Sequence, residues 1–240
     1  MSLERVLQSQ GFGSRKVCRQ LIRAGRVKVR EQVVEDPFME LAVESLDFQV
    51  DDETWRFRDK AYVLLHKPAG YECSRSPKHH PSVLSLLPDP LVQRGVQPVG
   101  RLDEDTTGLL LLSDDGDFIH RLISPKYKVP KVYEVHARHP VDDAQIEALC
   151  QGVILHDSPD MVCALGCQRI SEHTLSLTLG EGRYHQVKRM VAAAGNRVEA
   201  LSRRAIGGLE LPGDLPPGAW RWLEKADLDR LALNGPEHPN

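Results

Sequence analysis

The chain has 240 residues, 41% of them apolar and 27% charged, a soluble globular composition long enough for a small domain plus a medium one. No apolar run nears the ~18 residues of a membrane span, and MSLERVL has no signal-peptide core, so a cytoplasmic protein without a membrane partner is expected. The formal net charge of −3 hides a segregation: residues 1–30 carry eight Lys or Arg against one acid, and residues 31–59 carry ten acids against two arginines. Phosphate contacts are local, so such patches say more about nucleic-acid binding than net charge does. Cys18, Cys73, Cys150, Cys163 and Cys167 are odd in number and form no Cys-x-x-Cys pair, which points to reduced thiols. Cys163 and Cys167 with His156 match no common zinc spacing, so no metal is expected.

In chain order, Leu3, Val6 and Leu7 form an apolar stripe in a first helix ended by Gly11 and Gly13. Ser14 is placed to cap a second helix, RKVCRQLIRAG, with Val17, Leu21 and Ile22 on one face and Gly25 as its stop. Arg15, Lys16, Arg19 and Arg23 fall largely opposite that stripe. RVKVREQVV, with Arg26 and Lys28, alternates and reads as one strand. The polar stretch 51–60 reads as a linker, and residues 61–232 as a second domain. Within it, AYVLLHKPAG reads as a buried strand with a Pro–Gly turn, and GLLLLSDDG as another. DFIHRLISP follows as a helix, KVYEVHA as a strand, and DDAQIEALCQG as a helix between Asp142 and Gly152. TLSLTL is a strand, RYHQVKRMVAAAG a helix, and residues 233–240 a C-terminal tail. Helices interrupt the strands without a regular βαβ repeat, which predicts an α+β fold with a mainly antiparallel sheet.

GRLDEDTTGLLLLSDDG, residues 100–116, sets three acids against a run of leucines. Asp105 or Thr106 can cap a turn there. Asp103 stands beside Leu102 and four residues before the buried strand, where burial alone would protonate it, so an ionised form needs a cationic partner. EGRYHQVKRM, residues 181–190, offers Arg183, Lys188 and Arg189 beside His185 and Gln186, facing away from Val187, Met190 and Val191.

The N-terminal helix–turn–helix–strand through about residue 50 resembles the S4 RNA-binding domain. HKPAGYECS, GRLDEDTTGLLLLSDDGDF, KVYEV, EGRYHQVKRMVAAAGNRV and LSRRAIGGL, in that order, resemble the signature blocks of the RsuA-type pseudouridine synthases. The resemblance implies a small N-terminal S4 domain (1–50) followed by a larger, mainly antiparallel-sheet pseudouridine synthase domain. It implies Asp103 as the catalytic aspartate, attacking the target uridine or taking a ribose proton, and Tyr133 as the stacking plate for the extruded base. Lys188 falls where the family has the basic partner of the aspartate, and as a lysine it can lose its proton where an arginine would not. Arg101 matches the residue that fills the gap left by the flipped base, and Leu201 and Arg203 end the last block. Arg15, Lys16, Arg19, Arg23, Arg26, Lys28, Arg183, His185, Gln186 and Arg203 are the expected RNA-binding set. The EGRYHQVKRM form implies the branch acting on small-subunit (16S) ribosomal RNA, most like the synthase for uridine 516, with free RNA or an assembling subunit as partner. The expected enzyme is a monomer with no cofactor, because an isomerisation needs neither redox nor phosphoryl chemistry.

Extrusion of a stacked uridine costs a few kcal/mol and requires a wedge, a stacking surface and phosphate contacts. Three rival readings remain. Asp103-Glu104-Asp105-Thr106-Thr107 also fits the D-x-D-x-T nucleophile loop of haloacid-dehalogenase-like phosphatases, although that fold wants its apolar strand before the acids. A non-catalytic S4-type assembly factor is the second, and a family member directed at 23S ribosomal RNA the third.

Overall fold

The computed structural model describes residues 1–156 and 160–231; the expected tail at 233–240 lies outside the described residues. The chain divides into two compact units, one of residues 1–61 and 87–97, the other of residues 62–86 and 98 onward.

In the first unit, α1 (Leu3–Ser9) buries Leu3, Val6 and Leu7. Helix α2 (Arg15–Arg23) starts at Ser14, whose side chain accepts from the Val17 N–H, and buries Cys18 and Ile22. Val17, expected on the apolar face, is instead exposed, and Cys18 takes the inward position. The stretch expected as one strand is a hairpin, β1 (Val27–Val29) and β2 (Gln32–Val33), because Arg30 and Glu31 both adopt positive φ and turn the chain. β3 (Asp47–Val50) follows, and β4 (Glu53–Arg56) forms within the stretch expected as a linker. β4 pairs with β3, completing an antiparallel sheet in the order β2-β1-β3-β4. Trp55 of β4 meets Phe12 edge-to-face at 5.3 Å, and Phe12 meets Phe48 at 5.8 Å, so β4 closes the small core. Helix α3 (Asp89–Gln93) docks on this unit. A Cβ at Gly11 would stand 1.9 Å from the Pro90 carbonyl, and Arg94 donates to Gln10 and to the Asp59 carbonyl.

The second unit is built on one mixed sheet. Its strands are β5 (Tyr62–Lys67), β6 (Gln97–Pro98, at the boundary), β7 (Thr107–Ser113), β8 (Lys131–Ala137), β11 (Gly166–Arg169), β12 (Thr174–Leu179), β13 (Val198–Ile206), β14 (Leu209–Glu210) and β15 (Trp220–Trp222). β9 (Val153–Ile154) and β10 (Met161–Val162) pair separately. The order β11-β12-β8-β13-β7-β5-β15 is antiparallel throughout except at β13–β7, which is parallel. Leu109, Leu110, Leu111 and Leu112 are all fully buried, because central β7 is covered on both faces and needs no polar alternation. β8, by contrast, alternates, with Tyr133, Val135 and Ala137 inward and Glu134 and His136 outward. Helices α4 (Gly116–Ile123), α5 (Asp143–Gln151), α6 (Gln186–Ala193) and α7 (Lys225–Arg230) complete the unit. Asp115 caps α4, and Asp142 caps α5 by accepting from the Gln145 N–H at 2.8 Å. All five cysteines are free. Among the described residues no helix is long and apolar enough to cross a membrane.

Candidate active site

The loop between Gly100 and Thr106 is tied down from behind. Lys67, the last residue of β5, is fully buried. Its ammonium donates to the carbonyls of Asp103 (2.9 Å), Glu104 (3.2 Å), Thr106 (2.8 Å) and Pro68 (3.1 Å). The Gly70 N–H donates to the Glu104 carbonyl at 2.7 Å, so the Pro–Gly turn after β5 grips the same loop. Burying an ammonium is costly, and these charge-assisted bonds offset the cost while fixing the path of residues 103–106. Burial holds the Lys67 pKa below the ordinary lysine value, with Cys73, Asp105, Glu104 and Asp103 pulling the other way. Where the loop enters β7, a Cβ on Gly108 would lie 2.2 Å from the Arg203 carbonyl, so only glycine lets β7 and β13 meet there. The sequence reading missed the role of Lys67; the one signal available was a lone lysine closing an apolar strand.

On its front the loop presents Asp103, whose side chain is a quarter exposed. Lys188 Nζ lies 3.3 Å from Asp103 Oδ2, and His185 Nε2 lies 3.3 Å from Asp103 Oδ1. Lys188 is bound more tightly to Asp105, at 2.7 and 2.8 Å to its two carboxylate oxygens. It is therefore a bridge between two carboxylates, whereas the sequence reading paired it with Asp103 alone. Burial disfavours the Lys188 ammonium, but the hydrogen bond to Asp105 and the charge of Asp103 outweigh it and raise its pKa above the ordinary lysine value. The expectation that this lysine can lose its proton is corrected accordingly. Asp105 is the mirror case: burial pushes its carboxyl up, and the Lys188 contact more than reverses this.

Asp103 faces an open cleft, lined on its apolar side by Leu102, Tyr133, Leu179, Val187 and Leu201. Arg101, Arg183 and His185 supply the polar rim. Tyr133 reaches the cleft from β8, and Lys188 from the first turn of α6. His185, just before α6, has φ 48°, which turns its ring toward the loop. Gln186 is buried; it accepts from the Arg183 N–H at 2.7 Å and donates to Glu181 at 3.0 Å, so it braces the turn. Arg203, expected among the RNA-binding residues, is buried, and its Nε donates to the Leu109 carbonyl at 2.8 Å. It joins β13 to β7 and has no surface to offer RNA. In the first unit, Arg15, Lys16 and Arg23 are exposed on α2. Arg19 is engaged by the buried Glu4, Arg26 by Asp51 and Lys28 by Asp52.

An open cleft with an aromatic wall, a carboxylate on a loop tied from behind and a cation held beside that carboxylate stand together here. A family model described as RNA pseudouridylate synthase matches residues 61–193, and an S4 domain model matches residues 1–44. The chain belongs to the RNA pseudouridylate synthases, the isomerases that convert uridine in RNA to pseudouridine, and within them to the RsuA type with an N-terminal S4 domain. It is 38% identical over 228 residues to ribosomal small subunit pseudouridine synthase A of Escherichia coli (strain K12), covering 95% of this chain and 98% of that one. It is 36% identical over 242 residues to an uncharacterized RNA pseudouridine synthase of Aquifex aeolicus, covering 99% and 100%. A crystal structure of a pseudouridylate synthase superposes with a TM-score of 0.68 at 31% identity, covering 96% of this chain and 99% of that one.

Proposed function

We propose that the protein isomerises one uridine of small-subunit ribosomal RNA to pseudouridine, with Asp103 as the catalytic carboxylate. The observation that carries this reading is the placement of Asp103 at the mouth of the cleft, facing Lys188 and His185 at 3.3 Å, with Tyr133 in the same cleft. The target base leaves its stack, lies against Tyr133, and exposes its glycosidic bond to Asp103, while Arg101 fills the gap it leaves. The carboxylate either bonds to the sugar–uracil system or takes a ribose proton. In both routes the N1–C1′ bond breaks, the uracil turns, C5 joins C1′, N1 takes up a proton as C5 loses one, and the carboxylate is freed from its adduct or returns the ribose proton it took. Lys188 balances the carboxylate charge before the reaction and steadies the loop through Asp105. Arg15, Lys16 and Arg23 of α2 hold RNA phosphates from the S4 domain, which includes the hairpin to residue 56. The small-subunit assignment rests on the 38% identity to a ribosomal small subunit pseudouridine synthase, and its finer form is uridine 516 of 16S ribosomal RNA in a cytoplasmic, monomeric enzyme.

Pseudouridine mapping by carbodiimide labelling and primer extension tests this. Wild-type protein is incubated, with EDTA present, with 16S ribosomal RNA, 23S ribosomal RNA and a partly assembled small subunit. One new site confined to the small-subunit samples is the expected result. A site confined to 23S ribosomal RNA overturns the substrate, and binding without any site overturns the enzyme reading in favour of an assembly factor.

A further inference from the structure

A second, wider groove of about 720 Å³ adjoins the cleft and shares Arg101, Asp103, Arg183 and His185 with it. Its far wall is the segment ECSRSPKHH, residues 72–80, which contributes Lys78, His79 and His80. An exposed loop of this composition is ordinarily mobile. Here one carboxylate orders it. Glu72 accepts the backbone N–H groups of Lys78 (3.1 Å), His79 (2.8 Å) and His80 (2.9 Å). The Glu72 N–H donates to the Pro81 carbonyl, the Val83 N–H donates to the Glu72 carbonyl, and the Ser82 hydroxyl donates to the Ser74 carbonyl at 2.5 Å. Those three backbone donors hold the Glu72 carboxyl down to about 2, so the clasp stays ionised at any working pH.

The clasp uses only backbone groups of residues 78–80. The side chains of Lys78, His79 and His80 stay exposed and form no ion pair among the described residues. Across the groove, Tyr184 is 76% exposed and stacks on His185 with ring centroids 3.8 Å apart. An exposed aromatic stack beside basic groups is the pairing that unpaired nucleotides use, base on ring and phosphate on cation. The acids in the groove are Glu72, spent on the clasp, Asp103, facing Lys188, and the exposed Glu104.

We infer that this groove seats the nucleotides flanking the target uridine, that Lys78, His79 and His80 grip their phosphates, and that Glu72 is the positioning residue that holds those three in place. The inference rests on the reading of the adjoining cleft as the uridine site. The test compares the full-length wild type with Glu72→Ala, Glu72→Gln, the triple Lys78→Gln/His79→Gln/His80→Gln, and the triple combined with Glu72→Ala. Steady-state turnover and the salt dependence of RNA binding are measured on each. Glu72→Ala and the triple should each raise KM about tenfold with kcat within about twofold, and flatten the salt slope by about 0.7 for each phosphate no longer neutralised. Glu72→Gln, which keeps one acceptor, should fall between. The combined variant should be no worse than the triple, because Glu72 acts through the residues already removed. A drop in kcat at unchanged KM, additive effects in the combined variant, or a wild-type salt slope in the triple would each overturn the inference. Wild-type turnover on the same RNA judges the parent reading separately, and the equilibrium binding of the variants decides the groove even if turnover is absent.

Discussion

Two lysines hold the loop of residues 100–106 from opposite sides, and they do so by different physics. Lys67, behind it, is fully buried and bonds to four carbonyls. Lys188, in front, is about a quarter exposed and bonds to two carboxylates. Carbonyl dipoles are sufficient to keep a buried cation as a tie, which leaves the loop's carboxylates free to face the cleft. At the mouth of the cleft the carboxylates need a full opposite charge, and solvent access there makes the contribution of Lys188 chiefly electrostatic, with only a small share in holding the loop. The same residue type therefore fixes geometry in one place and tunes chemistry in the other.

That contrast breaks most visibly at Lys67. Lys67→Met removes the ammonium from four carbonyls, of which Glu104 keeps its Gly70 N–H and Asp103 its Thr106 N–H, and should destabilise the protein by roughly 3–5 kcal/mol while abolishing turnover, as read by denaturant unfolding and a turnover assay. A stable, active Lys67→Met protein would remove the distinction between the two lysines. Lys188→Met should do the reverse, lowering kcat by about 10²–10³-fold while changing stability by less than about 1 kcal/mol. Lys188→Arg keeps the charge and should recover most of that loss.

Asp105 sharpens the comparison through pH. The raised pKa of Lys188 means that its ion pairs persist below the ordinary lysine value and fail only as pH rises through the higher folded value. The lowered pKa of Asp105 means that its share persists above the ordinary carboxylate range and fails as pH falls through its lower folded value. Asp105→Asn removes the strongest contact of Lys188, so the alkaline limb of the kcat profile should move to lower pH, with kcat at neutral pH down about tenfold.

The last effect, on stability and not on turnover, concerns Lys131, where burial and the neighbouring Arg203 charge hold the ammonium down to about 8. The unfolded chain then binds more protons between pH 8 and the unfolded value of about 10.4, so stability rises with pH across that window. Lys131→Met should lack the rise and gain on the order of 2 kcal/mol at neutral pH, measured by urea unfolding at several pH values.

Much of this was legible in the sequence because its signal was local. The run of leucines in β7, the alternation of β8 and β12 and the Asp142 cap of α5 depend only on neighbours along the chain. Asp103, Tyr133 and Lys188 stood out through motif resemblance, and the structure brings all three to one cleft. What escaped depends on contacts distant in sequence. Three of the four carbonyls that Lys67 holds are 36 to 39 residues away. β4 looked like a linker because its polarity suits a sheet edge, and only Trp55 meeting Phe12 reveals its place. Arg203 looked exposed because arginine seldom lies buried, and its bond to the Leu109 carbonyl crosses between strands far apart in the chain. Residues 87–97 join the first unit through Gly11 and Gln10, which no local pattern announces.

The most direct test of the account is Asp103→Asn in a single-turnover assay that follows release of tritium from C5 of uridine in the RNA substrate. The substitution is isosteric and leaves the main-chain carbonyl held by Lys67 untouched, so folding and RNA affinity should match the wild type. The account predicts loss of tritium release by about 10⁴-fold or more. Release within tenfold of the wild-type rate, with the protein folded and RNA bound, would contradict it.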